Sequence, residues 1–363
     1  MMWRRLLSHD LPRSPWLALL LVVIALGLAT APFTLDGIRA LSVAAKVIVF
    51  VVLVASFDLL LGYTGIVSFA HTMFFGIGAY GVAIALDRLG PTWSALGLGV
   101  GLALLLSLVL SLAIGLFSLR VKAIFFAMIT LAVASAFQTL ASQLSQFTGG
   151  EDGLTYKLPA ALMPSTEYWD EELWGVTLDG RLLTYYLLFV AGVLMFLALL
   201  RLVNSPFGRV LQAVRENEFR AEALGYRVVV YRTLSSVWAS LFATLAGVLY
   251  AIWLRYNGPD TTLSFEVMMD VLLMVVIGGM GSMYGALIGA VLFLLAQSYL
   301  QDALSAVGHA LVDVPALAQL FAADRWLLWL GILFVLSVRY FPNGLVGRLR
   351  EWAWQREHRK RRS

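Results

Sequence analysis

Apolar runs near or above the roughly 17–25 residues that span a bilayer recur along almost the whole chain, and they restrict its fold more than any other feature. Hydrophobic residues make up 60% of the 363 residues and charged residues 13%, whereas soluble domains carry about 25% charged residues. The sequence therefore predicts an all-α polytopic membrane protein built as a single integrated bundle. The absence of cysteine excludes disulfides, thiolate metal sites and cysteine catalysis from this chain.

The apolar runs predict about ten transmembrane helices, and their number is least constrained between residues 264 and 302. The first run ends in Ala29-Thr30-Ala31, which also resembles a signal-peptidase site. We favour a retained first helix with its N-terminus inside, because many further helices need that start. The predicted spans are residues 16–32, 40–61, 66–86, 93–119, 123–141, 182–203, 233–255, 267–277, 286–300 and 326–341.

Charges between the apolar runs predict the orientation of the bundle. Basic residues dominate at the N-terminus, at Arg120 and Lys122, in the segment 201–232 and in the tail 348–363, which holds seven basic residues against two acidic ones. The loop 142–181 holds seven acidic residues against two basic ones. Ten helices place every basic cluster and both termini in the cytoplasm and the acidic loop outside. Residues 1–347 thus form the membrane domain, and residues 348–363 form a basic cytoplasmic tail.

The segment 204–227 is polar, forms a helix by its composition and lies between two strongly apolar runs. Ser205 is a suitable N-cap, Pro206 fits the first helical position and Gly225 ends the helix. A spacing of four residues predicts that one face carries Arg209, Ala213, Asn217 and Ala221. The segment either is only a charged connector that orients the bundle or is a coupling helix that docks on a partner subunit. We adopt the second interpretation as the working hypothesis.

Two glycine-rich stretches, 62–65 and 278–285, interrupt apolar runs. They either allow close helix packing or break helices beside a translocation path, and their similar positions hint that the two halves of the bundle correspond. Ionisable residues at membrane depth are costly and mark candidate functional positions, although some can simply reach the interface. These residues are Lys46, Asp58, His71, Glu266 and Asp270. The residues predicted to line or shape a path are Gly65, Ser68, His71, Thr72, Gly279 and Ser282.

Catalytic patterns are missing from the sequence. It contains no GxxxxGK[ST] phosphate loop, no HExxH zinc motif and no GxSxG nucleophile motif. We therefore expect no catalytic residue, no metal site and no cofactor in this chain. If transport is active, an ion gradient or another subunit supplies the energy.

Three stretches taken together resemble the LivM-type permeases, the membrane subunits of bacterial branched-chain amino acid ABC importers. They are LLGYTGIVSFAHTMFFGIGAY (residues 60–80), SPFGRVLQAVRENEFRAEALG (205–225) and VVIGGMGSMYGALIGA (275–290), and they occur in the order typical of that family. The resemblance runs from about residue 40 to residue 347. It implies an ABC importer permease fold in the bacterial inner membrane.

The resemblance also implies partners. They are a paralogous LivH-type permease, two cytoplasmic ATPases that bind ATP and Mg, and a periplasmic binding protein, with no role for nucleic acid. It assigns the segment 205–225 as the coupling helix, in which Arg220 stands where a small residue is common. The residues expected to form the contact with the ATPase are Ser205, Gly208, Arg209, Ala213, Arg215, Glu216, Asn217, Ala221 and Gly225.

Two functional hypotheses follow. In the first, the chain is the permease of an ATP-driven importer for branched-chain amino acids or related small amino acids, organic acids or amides. In the second, it is a stand-alone, gradient-driven secondary transporter or channel. The five ionisable residues at membrane depth do not form a proton-relay ladder, and this favours the first hypothesis.

Overall fold

The computed structural model describes residues 15–34, 37–117, 123–173, 176–310, 321–341 and 344–349. The basic N-terminal residues, the predicted turn at Arg120 and Lys122, and residues 350–363 of the basic tail lie outside the described residues.

Helices dominate the described residues, and four short strands accompany them. The helices are α1 (Pro15–Thr34), α2 (Ile38–Asp58), α3 (His71–Leu89), α4 (Trp93–Phe117), α5 (Ala123–Gln143), α6 (Ser145–Thr148), α7 (Gly180–Val203), α8 (Pro206–Glu216), α9 (Glu218–Ala223), α10 (Val228–Leu254), α11 (Pro259–Thr262), α12 (Phe265–Gly278), α13 (Met283–Ala310) and α14 (Trp326–Tyr340). The strands are β1 (Leu154–Thr155), β2 (Glu167–Leu173), β3 (Val176–Asp179) and β4 (Tyr256–Asn257).

The described residues contain ten helical stretches long and apolar enough to cross a membrane, which confirms the predicted number. Three boundaries were predicted wrongly by five residues or more, and one of them is the start of α10, which lies at Val228 rather than at residue 233. The third helix begins at His71 rather than at residue 66, because Gly65 adopts a left-handed conformation (φ 75°) that ends the preceding helical turn. Helix α13 continues to Ala310 rather than ending at residue 300, because residues 301–310 contain no proline that would end the helix.

The centre of the bundle is formed by α2, α3 and α10. In their most apolar stretches, 72% of the residues of Ile38–Thr64 and of His71–Leu89 are buried, against 12% in Trp326–Leu349 at the periphery. Helices α3 and α10 approach closely through a pair of glycines: a methyl group on Gly78 would lie 1.9 Å from the Thr244 carbonyl oxygen, and one on Gly247 would lie 1.9 Å from the Phe75 carbonyl oxygen. Such small residues let the two backbones touch.

The acidic loop 142–181 is ordered by strands, which the all-helical prediction missed. Strands β2 and β3 form an antiparallel hairpin, and β1 pairs antiparallel with β4 after the end of α10. The Tyr156 hydroxyl donates a 2.9 Å hydrogen bond to the Ala251 carbonyl oxygen, and burial raises the pKa of this phenol. The loop is thereby attached to the end of a central helix.

Candidate coupling segment and glycine joint

The segment 204–227 forms two short helices rather than the continuous helix predicted from its sequence. Helix α8 ends at Glu216, and Asn217 takes an extended conformation (φ −159°, ψ 102°). The Asn217 side chain then accepts a 2.9 Å hydrogen bond from the Arg220 amide and so caps α9. Asparagine favours such a cap over a helix interior, which explains the break. We call the two helices the α8–α9 pair.

The predicted ends of this segment are confirmed. The Ser205 hydroxyl accepts a 3.4 Å hydrogen bond from the Gly208 amide, and Pro206 occupies the first turn of α8. Gly225 follows α9 with φ 90°, and the Tyr226 amide bonds back to the Ala221 carbonyl oxygen at 3.2 Å. These contacts satisfy backbone groups that the ends of a helix leave open.

The two faces of the α8–α9 pair differ from the predicted ones. Arg209 and Ala213 are exposed, as is Asn217 at the break, but Ala221 is buried in a small cluster with Val210, Val214 and Val228. The break at Asn217 turns α9, so the four residues predicted to share one face do not do so. The buried residues of α8 are Gly208, Val210, Leu211 and Val214, and Glu216 is exposed.

Two apolar side chains stand out from the α8–α9 pair, and the sequence analysis missed them. Phe219 is 84% exposed and Leu224 is 71% exposed. Aromatic residues often anchor protein interfaces, so Phe219 is a candidate anchor for a partner. The position of a phenylalanine among the charged residues of α9 is the sequence feature that could have indicated this exposed side chain.

The α8–α9 pair is fixed to the start of α10. Both terminal nitrogens of Arg232 donate to the two carboxylate oxygens of Glu218, at 2.8 and 3.0 Å. The ring of Phe207 stacks on that of Tyr231 with centroids 5.6 Å apart. A bidentate ion pair such as Arg232–Glu218 restrains orientation as well as distance. The α8–α9 pair can therefore move together with α10 rather than independently.

The two glycine-rich stretches, which lie far apart in sequence, meet in the structure. Residues 59–64 continue α2 as a π-helical turn that ends at Gly65, and residues 279–282 connect α12 to α13. We call these two stretches the glycine joint. The joint requires glycine, because a methyl group on Gly62 would lie 2.0 Å from Asp58 Oδ1 and 2.2 Å from the Gly281 nitrogen.

A buried carboxylate connects the two sides of the glycine joint. Asp58 is fully buried, and its Oδ1 accepts a 2.8 Å hydrogen bond from the Gly281 amide. Gly281 has φ 79°, which favours glycine over other residues. Asp58 Oδ2 has no hydrogen-bond partner among the described residues. The Gly281 amide, together with the neighbouring Ser282 amide, thus holds the Asp58 carboxyl group against the second stretch of the joint.

Arg215 reaches from α8 into the glycine joint. Its guanidinium donates to the Gly62 carbonyl oxygen, and a methyl group on Gly65 would lie 3.2 Å from the Arg215 Cγ. Arg215 is nevertheless an exposed residue, so its expected contact with an ATPase stays a prediction beside this contact within the chain. Within this chain, Arg215 links the α8–α9 pair to the joint.

The residues predicted to line a path lie mostly inside the bundle. Ser68, His71, Thr72 and Ser282 are buried, and His71 Nε2 lies 2.9 Å from the Ser56 hydroxyl. Gly279 is also buried, with φ 115°, whereas Gly65 is exposed. Five of the six residues therefore lie in the interior of the bundle, and their role beside a translocation path stays a prediction.

A separate cavity lies where the acidic loop meets the bundle. It has a volume of about 150 Å³, and Arg181 and Arg255 lie on its wall beside apolar residues that include Leu158 and Trp253. Burial lowers the pKa of Arg255, and the neighbouring Arg181 charge lowers it further. This end of the bundle therefore presents positive charge beneath an acidic loop.

Hydrogen bonds and close packing connect the α8–α9 pair to the glycine joint. No group of three His, Cys, Asp or Glu side chains among the described residues could hold a metal ion. The polar groups of the glycine joint are fixed by backbone and side-chain hydrogen bonds within the bundle. Such an arrangement can transmit a movement of the α8–α9 pair to α2, α12 and α13.

Three curated proteins resemble this chain over much of its length. The high-affinity branched-chain amino acid transport system permease protein LivM of Salmonella typhimurium is 25% identical over 318 residues, which cover 84% of this chain and 69% of the relative. The Escherichia coli protein of the same name is 24% identical over 343 residues, covering 91% of this chain and 73% of the relative. A probable LivM permease of Methanocaldococcus jannaschii is 27% identical over 231 residues, covering 63% and 61%.

No solved structure matches the chain significantly. The family model described as the permease component of the branched-chain amino acid transport system matches residues 39–338. This range includes the glycine joint, the α8–α9 pair and nine of the ten membrane-crossing stretches in whole or in large part. Because the match covers well over half of the sequence, the chain belongs to the branched-chain amino acid transport permease family.

Proposed function

We propose that this chain is the membrane-spanning permease subunit of an ATP-driven importer that translocates branched-chain amino acids. The observation that carries the proposal is the Arg215 contact, because it joins the α8–α9 pair directly to the glycine joint. The names of the three relatives, all branched-chain amino acid transport permeases, support the choice of substrate. Related small amino acids, organic acids and amides are the next candidates.

The proposed assembly contains four kinds of subunit. This chain pairs with a paralogous LivH-type permease in the bacterial inner membrane, two cytoplasmic ATPases bind ATP and Mg, and a periplasmic binding protein delivers the substrate. The α8–α9 pair is the docking element for an ATPase, with Phe219 and Leu224 as its apolar anchors and Arg209 as an exposed charge. Both chain termini are cytoplasmic, and the acidic loop 142–181 faces the periplasm.

The proposed mechanism transmits movement rather than carrying out chemistry. ATP binding changes the distance between the ATPases and displaces the α8–α9 pair. Arg215 then displaces the Gly62 carbonyl group to which it is hydrogen-bonded. The π-helical turn changes its backbone conformation, because glycine adopts φ and ψ angles that are unfavourable for other residues. Asp58 passes this change to residues 279–282, so two interrupted helices shift together. Alternation between two such states moves the substrate path from one side of the membrane to the other.

The experiment that tests this function is purification of the tagged chain from its native host in a mild detergent, followed by mass spectrometry. We expect a second permease, ATPase subunits and a periplasmic binding protein to copurify. The purified complex should then import radiolabelled leucine into proteoliposomes only when ATP is present. Recovery of the chain alone, with gradient-driven and ATP-independent uptake, would replace the importer with the secondary transporter.

A further inference from the structure

A line of charged and amide side chains follows one side of the bundle, on α2, α12 and α13. We call it the polar stripe. Its side chains are partly or largely exposed, whereas the surrounding helices are apolar. The polar stripe consists of Arg39, Lys46, Glu266, Asp270, Gln297 and Asp302.

Three residues near the middle of the polar stripe form a bridged pair of opposite charges. Lys46 Nζ donates a 3.2 Å hydrogen bond to Gln297 Oε1, and Gln297 Nε2 donates a 3.0 Å hydrogen bond to Asp270 Oδ2. One amide therefore separates the ammonium from the carboxylate. The three residues lie on three different helices, so the arrangement depends on the folded bundle and not on local sequence.

The end of the polar stripe near the start of α2 carries a second pair of charges. Arg39 forms a 2.9 Å ion pair with Asp302, and their side chains are 62% and 57% exposed. Arg39 also donates a 2.6 Å hydrogen bond to the Ser298 carbonyl oxygen. Polar groups thus extend along α13 from its outer part to Gln297 near its middle.

Contact between the polar stripe and the hydrocarbon of the bilayer is unfavourable. Each charged residue near the middle of a transmembrane helix costs about 2.5–3.5 kcal/mol by insertion measurements, and such residues ordinarily face a protein interior or water. Helix α4 shows the contrasting pattern, because its exposed residues Leu98, Leu102, Leu105 and Val109 are all apolar. The exposed face of α4 is suited to contact with lipid. The polar stripe is suited to contact with water at a boundary with another protein.

We propose that the polar stripe lines the aqueous translocation path at the boundary with the second permease subunit, where Lys46 and Asp270 bind the carboxylate and the ammonium of a zwitterionic amino acid. This inference rests on the proposed importer function and deepens it. An amino acid carries both charges on one carbon, which matches two opposite charges separated by a single amide. Gln297 holds the two side chains in place when the path is empty. Leu273 follows Asp270 and Glu266 on the same face of α12 and offers an apolar contact.

The absence of cysteine from the chain permits a direct test of the path. Single cysteines are introduced as Gln297→Cys and Leu273→Cys, with Leu105→Cys as the lipid-facing control near the middle of α4. The complete complex in nanodiscs is treated with a charged methanethiosulfonate reagent, and the mass of this chain is measured. Because only the hydrated thiolate reacts readily, we expect the first two cysteines to react at least tenfold faster than the control. Equal or slower reaction at both stripe positions would overturn the path assignment.

Protection by ligand tests the recognition of charge. Labelling of Leu273→Cys, which leaves all three polar groups in place, is repeated with saturating leucine and with 4-methylpentanoate, which has the same skeleton without the ammonium. We expect leucine to slow labelling severalfold and 4-methylpentanoate to have little effect. Labelling that both compounds leave unchanged, or that both slow equally, would overturn the zwitterion site. Copurification and ATP-dependent uptake, measured separately on each variant, show whether the importer assignment itself has failed.

Discussion

The glycine joint and the polar stripe both place ionisable residues within membrane-spanning helices, but they do so in opposite ways. At the joint, Asp58 is completely buried, and a single methyl group on Gly62 has no room. Along the stripe, Lys46 and Asp270 are only partly buried, and the flexible side-chain amide of Gln297 bridges them. This difference in packing suits the two roles that we propose, transmission of movement by the joint and binding of a ligand or water by the stripe.

The largest effect is expected from adding a methyl group at the joint. Gly62→Ala would bring its Cβ to 2.0 Å from Asp58 Oδ1, and overpacking of this kind typically costs about 1–3 kcal/mol. We expect loss of uptake and a lower melting temperature of the detergent-solubilised complex. The matched control is Gly101→Ala on α4, where nothing lies within 4 Å of the added methyl group. Equal behaviour of the two variants would show that the joint is not tightly packed.

A large loss of transport with little loss of stability is expected from the polar stripe. Lys46→Met combined with Asp270→Leu removes both charges together, so neither remains unpaired. Because a hydrogen bond to a charged group contributes about 1.5–3 kcal/mol, we expect leucine uptake to fall at least tenfold while the melting temperature changes by only a few degrees. Lys46→Arg is the charge-preserving control. Normal uptake by the double variant would remove the stripe from the path.

A smaller effect, confined to assembly, is expected at the exposed anchor of the α8–α9 pair. Phe219→Ser removes a side chain that is 84% exposed and therefore leaves the packing of this chain unchanged. We expect less ATPase to copurify while the second permease subunit is retained. Arg209→Glu should lower ATP-driven uptake by a similar route, with the two permeases still assembled. Full recovery of the ATPase with both variants would place the docking surface elsewhere.

The smallest effect is expected at the exposed end of the polar stripe. Arg39→Gln breaks an ion pair whose two side chains are more than half exposed, and pairs of this kind contribute about 0–1 kcal/mol. We expect uptake within about twofold of wild type at physiological salt. A loss as large as that of the Lys46 and Asp270 variant would show that the outer pair takes part in recognition rather than only extending the hydrated surface.

Local features of the sequence were sufficient to predict the membrane class, the number of spans and the ends of the segment 204–227. The length of an apolar run indicates whether it can span a membrane. Ser205 and Gly225 are typical of residues at which a helix begins and ends. The break at Asn217 was missed because the flanking residues are good helix formers, and only the side-chain cap reveals it. Exposure of Phe219 depends on the turn that this break produces.

Long-range contacts could not be predicted from these patterns. Gly62 and Gly281 meet although 219 positions separate them, and Lys46 reaches Gln297 across 251 positions. The sequence singled out both glycine-rich stretches and the ionisable residues, but not which of them come together. Arg215 could not be assigned to the joint either, because a helical period alone does not state which face the bundle covers.

The central claim is that Arg215 transmits movement from the α8–α9 pair to the glycine joint. The most direct test is the number of leucine molecules imported per ATP hydrolysed by the reconstituted complex carrying Arg215→Met, compared with wild type and with Arg209→Met. We expect Arg215→Met to retain its ATPase subunits and hydrolyse ATP while importing several-fold fewer leucine molecules per ATP, and Arg209→Met to keep the wild-type ratio. A wild-type ratio for Arg215→Met would contradict the claim.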